Sequence, residues 1–94
     1  MITGKNKEQF EDWYNRFDEN YVDFKSLQFE LQIGVYLAYY DSKGFTITLS
    51  YNYAFDWYFK IHLDKVYIPI QSNFNTRNEA YKEALKQADK LSNQ

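Results

Sequence analysis

The sequence offers few side chains that could carry out catalysis. Its one histidine, His62, lies between Lys60 and Asp64 in an alternating segment, and the chain has no cysteine. A metal site built on His62 would need further ligands at a suitable spacing, and carboxylates are the remaining candidates. The three glycines form neither a phosphate-binding loop nor a nucleophile elbow. We therefore expect no catalytic residues, no metal site and no cofactor, in a protein that is not an enzyme.

Aromatic side chains are the most unusual feature of the composition. The 94 residues include ten Tyr, eight Phe and two Trp, which together make 21% of the chain. A domain of this size buries about a dozen large rings, so some tyrosines reach the surface, where Tyr is typical of protein interfaces. Alternatively, these rings cap the rim of the core with their hydroxyls in water. The candidates for an interaction surface are Tyr53, Phe55, Tyr58 and Tyr67.

Aromatic and basic residues on one sheet face would also suit a nucleic-acid-binding module, which is the alternative to a protein-binding role. The chain carries eleven basic and thirteen acidic residues, however, for a formal net charge of −2. A surface that follows phosphates needs concentrated positive charge, so a nucleic acid is a less favoured partner than a protein. The residues of this candidate face are Tyr58, Lys60, His62 and Tyr67, with Thr46 and Thr48.

A third charge pattern is an acidic segment near the start of the chain. Between residues 8 and 24, six acidic residues accompany one basic residue, Arg16. Such a patch could steer the chain towards a basic groove, as a mimic of nucleic acid would. Enrichment of acids near a helix start by the helix dipole is the simpler interpretation. The patch consists chiefly of Glu8, Glu11, Asp12 and Glu19.

Helical periodicity is clear at both ends of the chain. Apolar residues recur at i, i+3, i+4 and i+7 from Phe10 to Phe17, which predicts a helix over about 4–18 with Thr3 as N-cap. A capping box of Thr76 and Glu79 opens a second helix over about 76–91. The side chains of this helix predicted to face water are Lys82, Glu83, Lys86, Asp89 and Lys90.

The segment after residue 24 is ambiguous between helix and strand. Its apolar residues alternate strictly over 25–35, as in a half-buried strand. Its content of Leu, Gln, Glu, Tyr and Ala, and its ending at Gly44, favour a helix over about 26–42. As a helix it carries two apolar stripes, which predicts a core helix. One stripe consists of Phe24, Leu27, Leu31, Val35, Ala38 and Tyr39, and the other of Phe29, Ile33, Tyr36, Leu37 and Tyr40.

After Gly44 the period changes to two, which predicts strands with one buried face, formed by Phe45, Ile47, Leu49 and Tyr51 and then by Trp57, Phe59, Ile61 and Leu63. Residues 45–51 and 57–63 form two antiparallel strands, and residues 66–70 suggest a third, placed at an edge because Pro69 lacks a backbone N–H. The fold class is therefore α+β: one small domain over 1–94, in the order α-α-β-β-β-α, with a three-stranded antiparallel meander packed against helices.

The composition also excludes several classes of protein. A chain that is 45% apolar with little net charge is not disordered. The least polar stretch, residues 31–40, is half the length needed to cross a bilayer, and the first residues do not resemble a signal peptide. Without cysteines the chain does not depend on disulfides. We therefore expect a cytoplasmic protein with no membrane contact and an oligomeric state that the sequence leaves open.

Three segments carry a resemblance to a known family. They are Ile2-Thr3-Gly4-Lys5 leading into Phe10-Glu11-Asp12-Trp13-Tyr14, Gly34-Val35-Tyr36 leading to Asp41-Ser42-Lys43-Gly44, and Phe74-x-Thr76-Arg77-x-Glu79-Ala80. Together they resemble a family of small proteins of phages and mobile elements in Bacteroidetes-type bacteria. The motifs that match are helix caps, helix ends and core aromatics.

The resemblance implies an accessory protein of a phage-like element. Such proteins often act by binding a host protein, and some inhibit host defence, as anti-CRISPR proteins do. No catalytic residues follow from the resemblance. A self-assembling structural protein, joined through the Pro69 edge strand or through exposed aromatics, is a further alternative.

Overall fold

The computed structural model describes residues 2–16, 23–54, 56–64 and 66–94. A two-layer α+β domain is formed, with helices on one side of an antiparallel sheet, as the sequence predicts. The helices are α1 (Gly4–Arg16), α2 (Phe29–Ser42) and α3 (Arg77–Ser92), with a 3₁₀ turn at Phe24–Ser26. The strands are β1 (Thr46–Asn52), β2 (Asp56–Leu63), β3 (Val66–Tyr67) and β4 (Gln71–Phe74).

Strand β2 is the centre of the sheet. Strand β1 pairs with it antiparallel along its whole length, from Thr46 opposite His62 to Asn52 opposite Asp56. Strands β3 and β4 both pair with the other side of β2, one near its end and one near its start. They are two parts of one interrupted third strand, with Pro69 in the gap between them. The predicted three-strand antiparallel order is confirmed, and Pro69 lies at the edge of the sheet. The third strand is not continuous over 66–70 as predicted, because residues 68–70 belong to no strand, and β4 was not predicted.

The two faces of the sheet differ as the alternation predicts. Phe45, Phe59 and Ile61 are buried against the helices, whereas Thr48 and Lys60 on the opposite face are exposed. Antiparallel sheets commonly cover one face and leave the other in water. The described elements thus leave one face of this sheet open to solvent.

Helix α2 resolves the ambiguity in favour of a helix, but its start and one of its faces differ from the prediction. It begins at Phe29 because Leu27 and Gln28 have extended backbone, with ψ of 146° and 153°. Its buried residues are Ile33, Tyr36, Tyr39 and Tyr40.

The predicted stripe through Leu31 and Ala38 belongs to the core only in part. Tyr39 is 2% exposed, and Phe24 and Val35 pack against the core. Leu31 is 57% exposed and Ala38 is exposed, so for these two residues the prediction is wrong. Helices α1 and α3 and strand β1 contact α2, and none of the described elements covers Leu31 and Ala38.

The start of α3 forms as predicted, with one difference. The Thr76 hydroxyl accepts a hydrogen bond from the Glu79 N–H at 3.1 Å. The Glu79 carboxylate accepts from the N–H of Asn75, at 3.2 Å, instead of from that of Thr76. Two backbone donors at the helix start are therefore satisfied, as in a capping box.

Candidate functional site

The structure separates the predicted interaction residues into two groups. Tyr53 lies in the turn between β1 and β2, and its side chain is 95% exposed. Tyr58, Lys60 and His62 lie on β2, on the face away from the helices. Phe55 lies outside the described residues. Tyr67, whose side chain also lies outside them, pairs through its backbone with His62.

Tyr53 belongs to a group of side chains at the turn end of the hairpin, which we name the hairpin-tip cluster: Tyr51, Tyr53, Trp57 and Arg77. The ring of Tyr51 lies 6.0 Å from that of Tyr53 and 5.5 Å from that of its cross-strand partner Trp57, between centroids. The guanidinium of Arg77, at the start of α3, lies 5.4 Å from the Trp57 ring centroid. The cluster joins three aromatic rings and one cation.

The local backbone holds this cluster in place. The Asn52 side-chain oxygen accepts from the N–H of Ala54 at 2.7 Å, which closes the turn that presents Tyr53. Asp56 then has a φ of 55°, in the left-handed region that Asp tolerates better than most residues. Tyr51, predicted to be buried, is 54% exposed. The period of two assigns Tyr51 to the correct face of the sheet, but side chains at the turn end of the hairpin are incompletely buried.

The open sheet face is less suited to nucleic acid than the sequence suggested. Cross-strand neighbours on it are Thr46 with His62, Thr48 with Lys60, and Ser50 with Tyr58. Among the side chains described there, Lys60 is the one permanent cation and Tyr58 the one large ring. Binding of a nucleic acid needs several cations along its phosphate backbone and several large rings for stacking of successive bases.

The acidic segment is also less concentrated than its residue count suggests. Glu8, Glu11 and Asp12 are exposed on α1, and Glu19 lies outside the described residues. Asp12 forms an exposed ion pair with Arg16 at 3.0 Å. Lys5 and Lys7, with Arg16, supply as many cations as α1 has acids. In its described part this helix therefore has no excess negative charge.

An open cavity of about 600 Å³ lies between α1, the 3₁₀ turn and α2. Aromatic rings line its inner side, and side chains of both charge signs line the remainder. Its charged lining residues, Lys7, Glu11, Asp23 and Lys25, balance each other. The cavity therefore shows no preference for an anionic or a cationic ligand.

Polar side chains at the start of α1 and at the ends of α2 and α3 form a second group, which we name the helix-end network. The sequence did not predict this group. Its members are Thr3, Asn6, Tyr39, Tyr40, Lys43, Asp89, Ser92 and Asn93. Asp89, predicted to face water, is 6% exposed, so that prediction is wrong. Thr3, predicted as an N-cap, donates its hydroxyl hydrogen to Asp89 at 2.6 Å.

Asn6 is the centre of the helix-end network and is fully buried. Its amide nitrogen donates to the Asp89 carboxylate at 2.8 Å and to the Tyr40 hydroxyl at 3.0 Å. Its side-chain oxygen accepts from the hydroxyls of Tyr39 at 2.6 Å and Ser92 at 2.7 Å. Among the described residues, no buried side-chain nitrogen or oxygen lacks a hydrogen-bond partner. Buried polar groups whose hydrogen bonds are all formed in this way fit a structural role.

The titratable members of the network are shifted by burial and hydrogen bonding. Burial raises the pKa of Tyr40 far above its usual value. Burial, followed by the charge of Lys5, lowers the pKa of Lys43, whose ammonium group donates to Gln9 and Ser92. Burial acts to raise the pKa of Asp89, but hydrogen bonds from Asn6 and Thr3 outweigh it and hold that pKa below 3.8.

The shift at Asp89 predicts a pH dependence of folding. A carboxylate with a depressed pKa in the folded state stabilises the fold above its unfolded pKa, and that stability is lost as pH falls through the folded pKa. We expect the free energy of unfolding to fall below about pH 5, and to fall less steeply in Asp89→Asn. Urea titrations of both proteins between neutral and acidic pH would measure this. Parallel pH profiles would contradict the prediction.

No described helix is long and apolar enough to cross a membrane. The described residues contain no group of three or more His, Asp or Glu side chains placed to hold a metal ion. Neither a protein-family model, nor a curated protein, nor a solved structure matches this chain.

Proposed function

We propose that this chain is a non-catalytic binding domain that contacts a protein partner through the hairpin-tip cluster. The observation that carries the proposal is the 95% exposure of Tyr53 beside the half-exposed ring of Tyr51. A large apolar ring in water contributes nothing to the core, whereas in an interface it removes a large area from water at low entropic cost.

The composition of the cluster supports the same proposal. Tyr, Trp and Arg are the residue types that most often dominate binding energies at protein interfaces. Here Trp57 is half-buried, with the Arg77 guanidinium over its ring and Tyr51 on its cross-strand side. Side chains that are already packed lose little freedom on binding. The cluster thus combines side chains that are already packed, Trp57 and Arg77, with the exposed ring of Tyr53.

The class of partner follows from the resemblance to proteins of phages and mobile elements. On that resemblance we propose a protein of the bacterial host as partner, with inhibition of host defence, as by anti-CRISPR proteins, as the outcome. The small negative charge of the chain supports a protein partner over a nucleic acid, because binding to phosphates needs an excess of cations.

Affinity capture from bacterial lysate tests the proposal, with Tyr53→Ser as the variant. A tagged wild-type chain should retain a stoichiometric protein after nuclease treatment. Tyr53→Ser should weaken binding of that purified protein about 30-fold, the loss typical of an interface residue worth about 2 kcal/mol.

Tyr58→Ser is the matched control, because it removes the same side chain from the open sheet face. It should leave the affinity within about twofold of wild type. Retention that disappears with nuclease and is reduced by Tyr58→Ser would favour the nucleic-acid alternative. Equal binding by wild type and Tyr53→Ser would refute a role for the hairpin-tip cluster.

A further inference from the structure

Among the described residues, no strand pairs with the outer edge of β1, and the strand itself carries none of the usual protection of edge strands. Among the described strands, β2 is the one that pairs with β1, and it does so on one side. The seven residues of β1, Thr-Ile-Thr-Leu-Ser-Tyr-Asn, include no charge and no proline. Exposed edges of this kind are templates for pairing with another strand, and natural sheets commonly protect them with Lys, Pro or a bulge.

The opposite edge of the sheet shows such protection. Its strand is interrupted between Tyr67 and Gln71, with Pro69 in the gap. Asn73 has a φ of 71°, and the pairing of β4 with β2 shifts register. A strand with these irregularities cannot continue a regular ladder outward. The two edges of one sheet therefore differ in their capacity for pairing.

Burial shows that the edge of β1 is accessible. Ile47 and Leu49 point to the helix side of the sheet, as Phe59 and Ile61 do on β2. Phe59 and Ile61 are 0% and 2% exposed, whereas Ile47 and Leu49 are half-buried. The helix layer thus covers the centre of the sheet more completely than the β1 edge.

We propose that β1 pairs antiparallel with β1 of a second copy of this chain, to form one continuous sheet across a twofold axis. This inference is independent of the hairpin-tip cluster as a binding surface for another protein. The register that pairs all seven residues places Leu49 opposite Leu49 of the second copy. It also places Ile47 opposite Tyr51 and Thr48 opposite Ser50, so helix-side residues meet helix-side residues.

The register also avoids repulsion between charges. Since β1 contains no acidic or basic residue, this register places no like charges opposite each other. The contact is short, because seven residues bury less surface than the ~1,200 Å² of a standard stable interface. We therefore expect a weak dimer, populated between micromolar and millimolar concentration.

Sedimentation equilibrium over that concentration range tests the proposal with two double variants. In T48E/S50E, each new carboxylate lies opposite another across the twofold axis. In T48E/S50K, each new carboxylate lies opposite a new ammonium. Both variants place the same carboxylate beside Lys60 within the chain, so they form a matched pair. We expect T48E/S50E to dimerise at least about tenfold more weakly than T48E/S50K.

Hydrogen exchange of the wild-type chain provides a second measurement that needs no variant. The outward amides of residues 46–52 should exchange more slowly as concentration rises, and Tyr53→Ser should dimerise like wild type. Circular dichroism verifies that both double variants are folded. A chain that stays monomeric to millimolar concentration, or equal dimerisation by the two double variants, would overturn the proposal.

Discussion

Asn6→Ala is expected to lower the free energy of unfolding by about 3 kcal/mol, a large share of the stability of a small domain. The substitution removes the centre of the helix-end network. It leaves the buried Asp89 carboxylate without one donor. It leaves the buried Tyr39 hydroxyl with the backbone carbonyl of residue 6, at 3.3 Å, in place of the side-chain oxygen at 2.6 Å. Chemical denaturation measures the loss directly. A thermal midpoint lower by roughly 15 °C should accompany it.

Gln9→Ala is the control for this prediction. Gln9 lies one turn further along α1, is exposed, and accepts from the Lys43 ammonium at 2.7 Å. We expect its removal to change the free energy of unfolding by less than about 0.5 kcal/mol. If Asn6→Ala were no more harmful than Gln9→Ala, the helix-end network would not stabilise the fold.

Phe10→Ala is expected to have the largest effect on stability, about 4 kcal/mol. Phe10 is 3% exposed, and its ring centroid lies 5.0 Å from that of Phe24 and 5.1 Å from those of Tyr36 and Tyr39. Removal of the ring leaves a cavity among side chains that hold one another in place, so the region collapses only in part.

Tyr53→Ala is the matched control, since it truncates an aromatic side chain of similar size that is 95% exposed. Its free energy of unfolding should stay within about 0.5 kcal/mol of wild type. Phe10→Leu should retain part of the lost stability, because it keeps apolar volume in the site. Similar losses for Phe10→Ala and Tyr53→Ala would show that α1 does not dock as described.

The fold was predictable because local periodicity and global packing agree in most elements. The period of two after Gly44 matches a hairpin with one buried face, and the Thr76 cap correctly marks the start of α3. In α2, by contrast, the apolar spacing predicted burial of Leu31, which is exposed. Apolar spacing shows which residues could be buried, whereas the number of neighbouring elements decides which ones are buried.

The helix-end network could not be predicted in this way. Asn6 and Asp89 are 83 residues apart in the chain and are brought together by three helices. One signal was present in the sequence: Asn6 precedes the apolar Phe10 by four residues, on the same face of α1. A polar residue on an apolar face needs partners, but the spacing does not identify them.

The candidate interaction surface was predicted in part. The surplus of tyrosines correctly indicated that some would be exposed, and Tyr53 is the most exposed of the large apolar side chains described. Alternation placed its neighbours Tyr51 and Trp57 on the correct face of the strands, but neither is fully buried as predicted. Both lie at the turn end of the hairpin, where Arg77 at the start of α3 contacts Trp57 and Tyr51 is left half-exposed.

The helix-end network also has a consequence for the order of events during synthesis. Thr3 and Asn6 leave the ribosome long before their partners Asp89 and Asn93, which lie 83 to 87 residues later in the chain. Contacts between such distant positions form only after the intervening loop has closed. Before α3 is made, the partners of Asn6 already present in the network include Tyr39 and Tyr40 of α2. The hydrogen bonds of Thr3 and Asn6 with Asp89 and Asn93 are therefore among the last of the network to form.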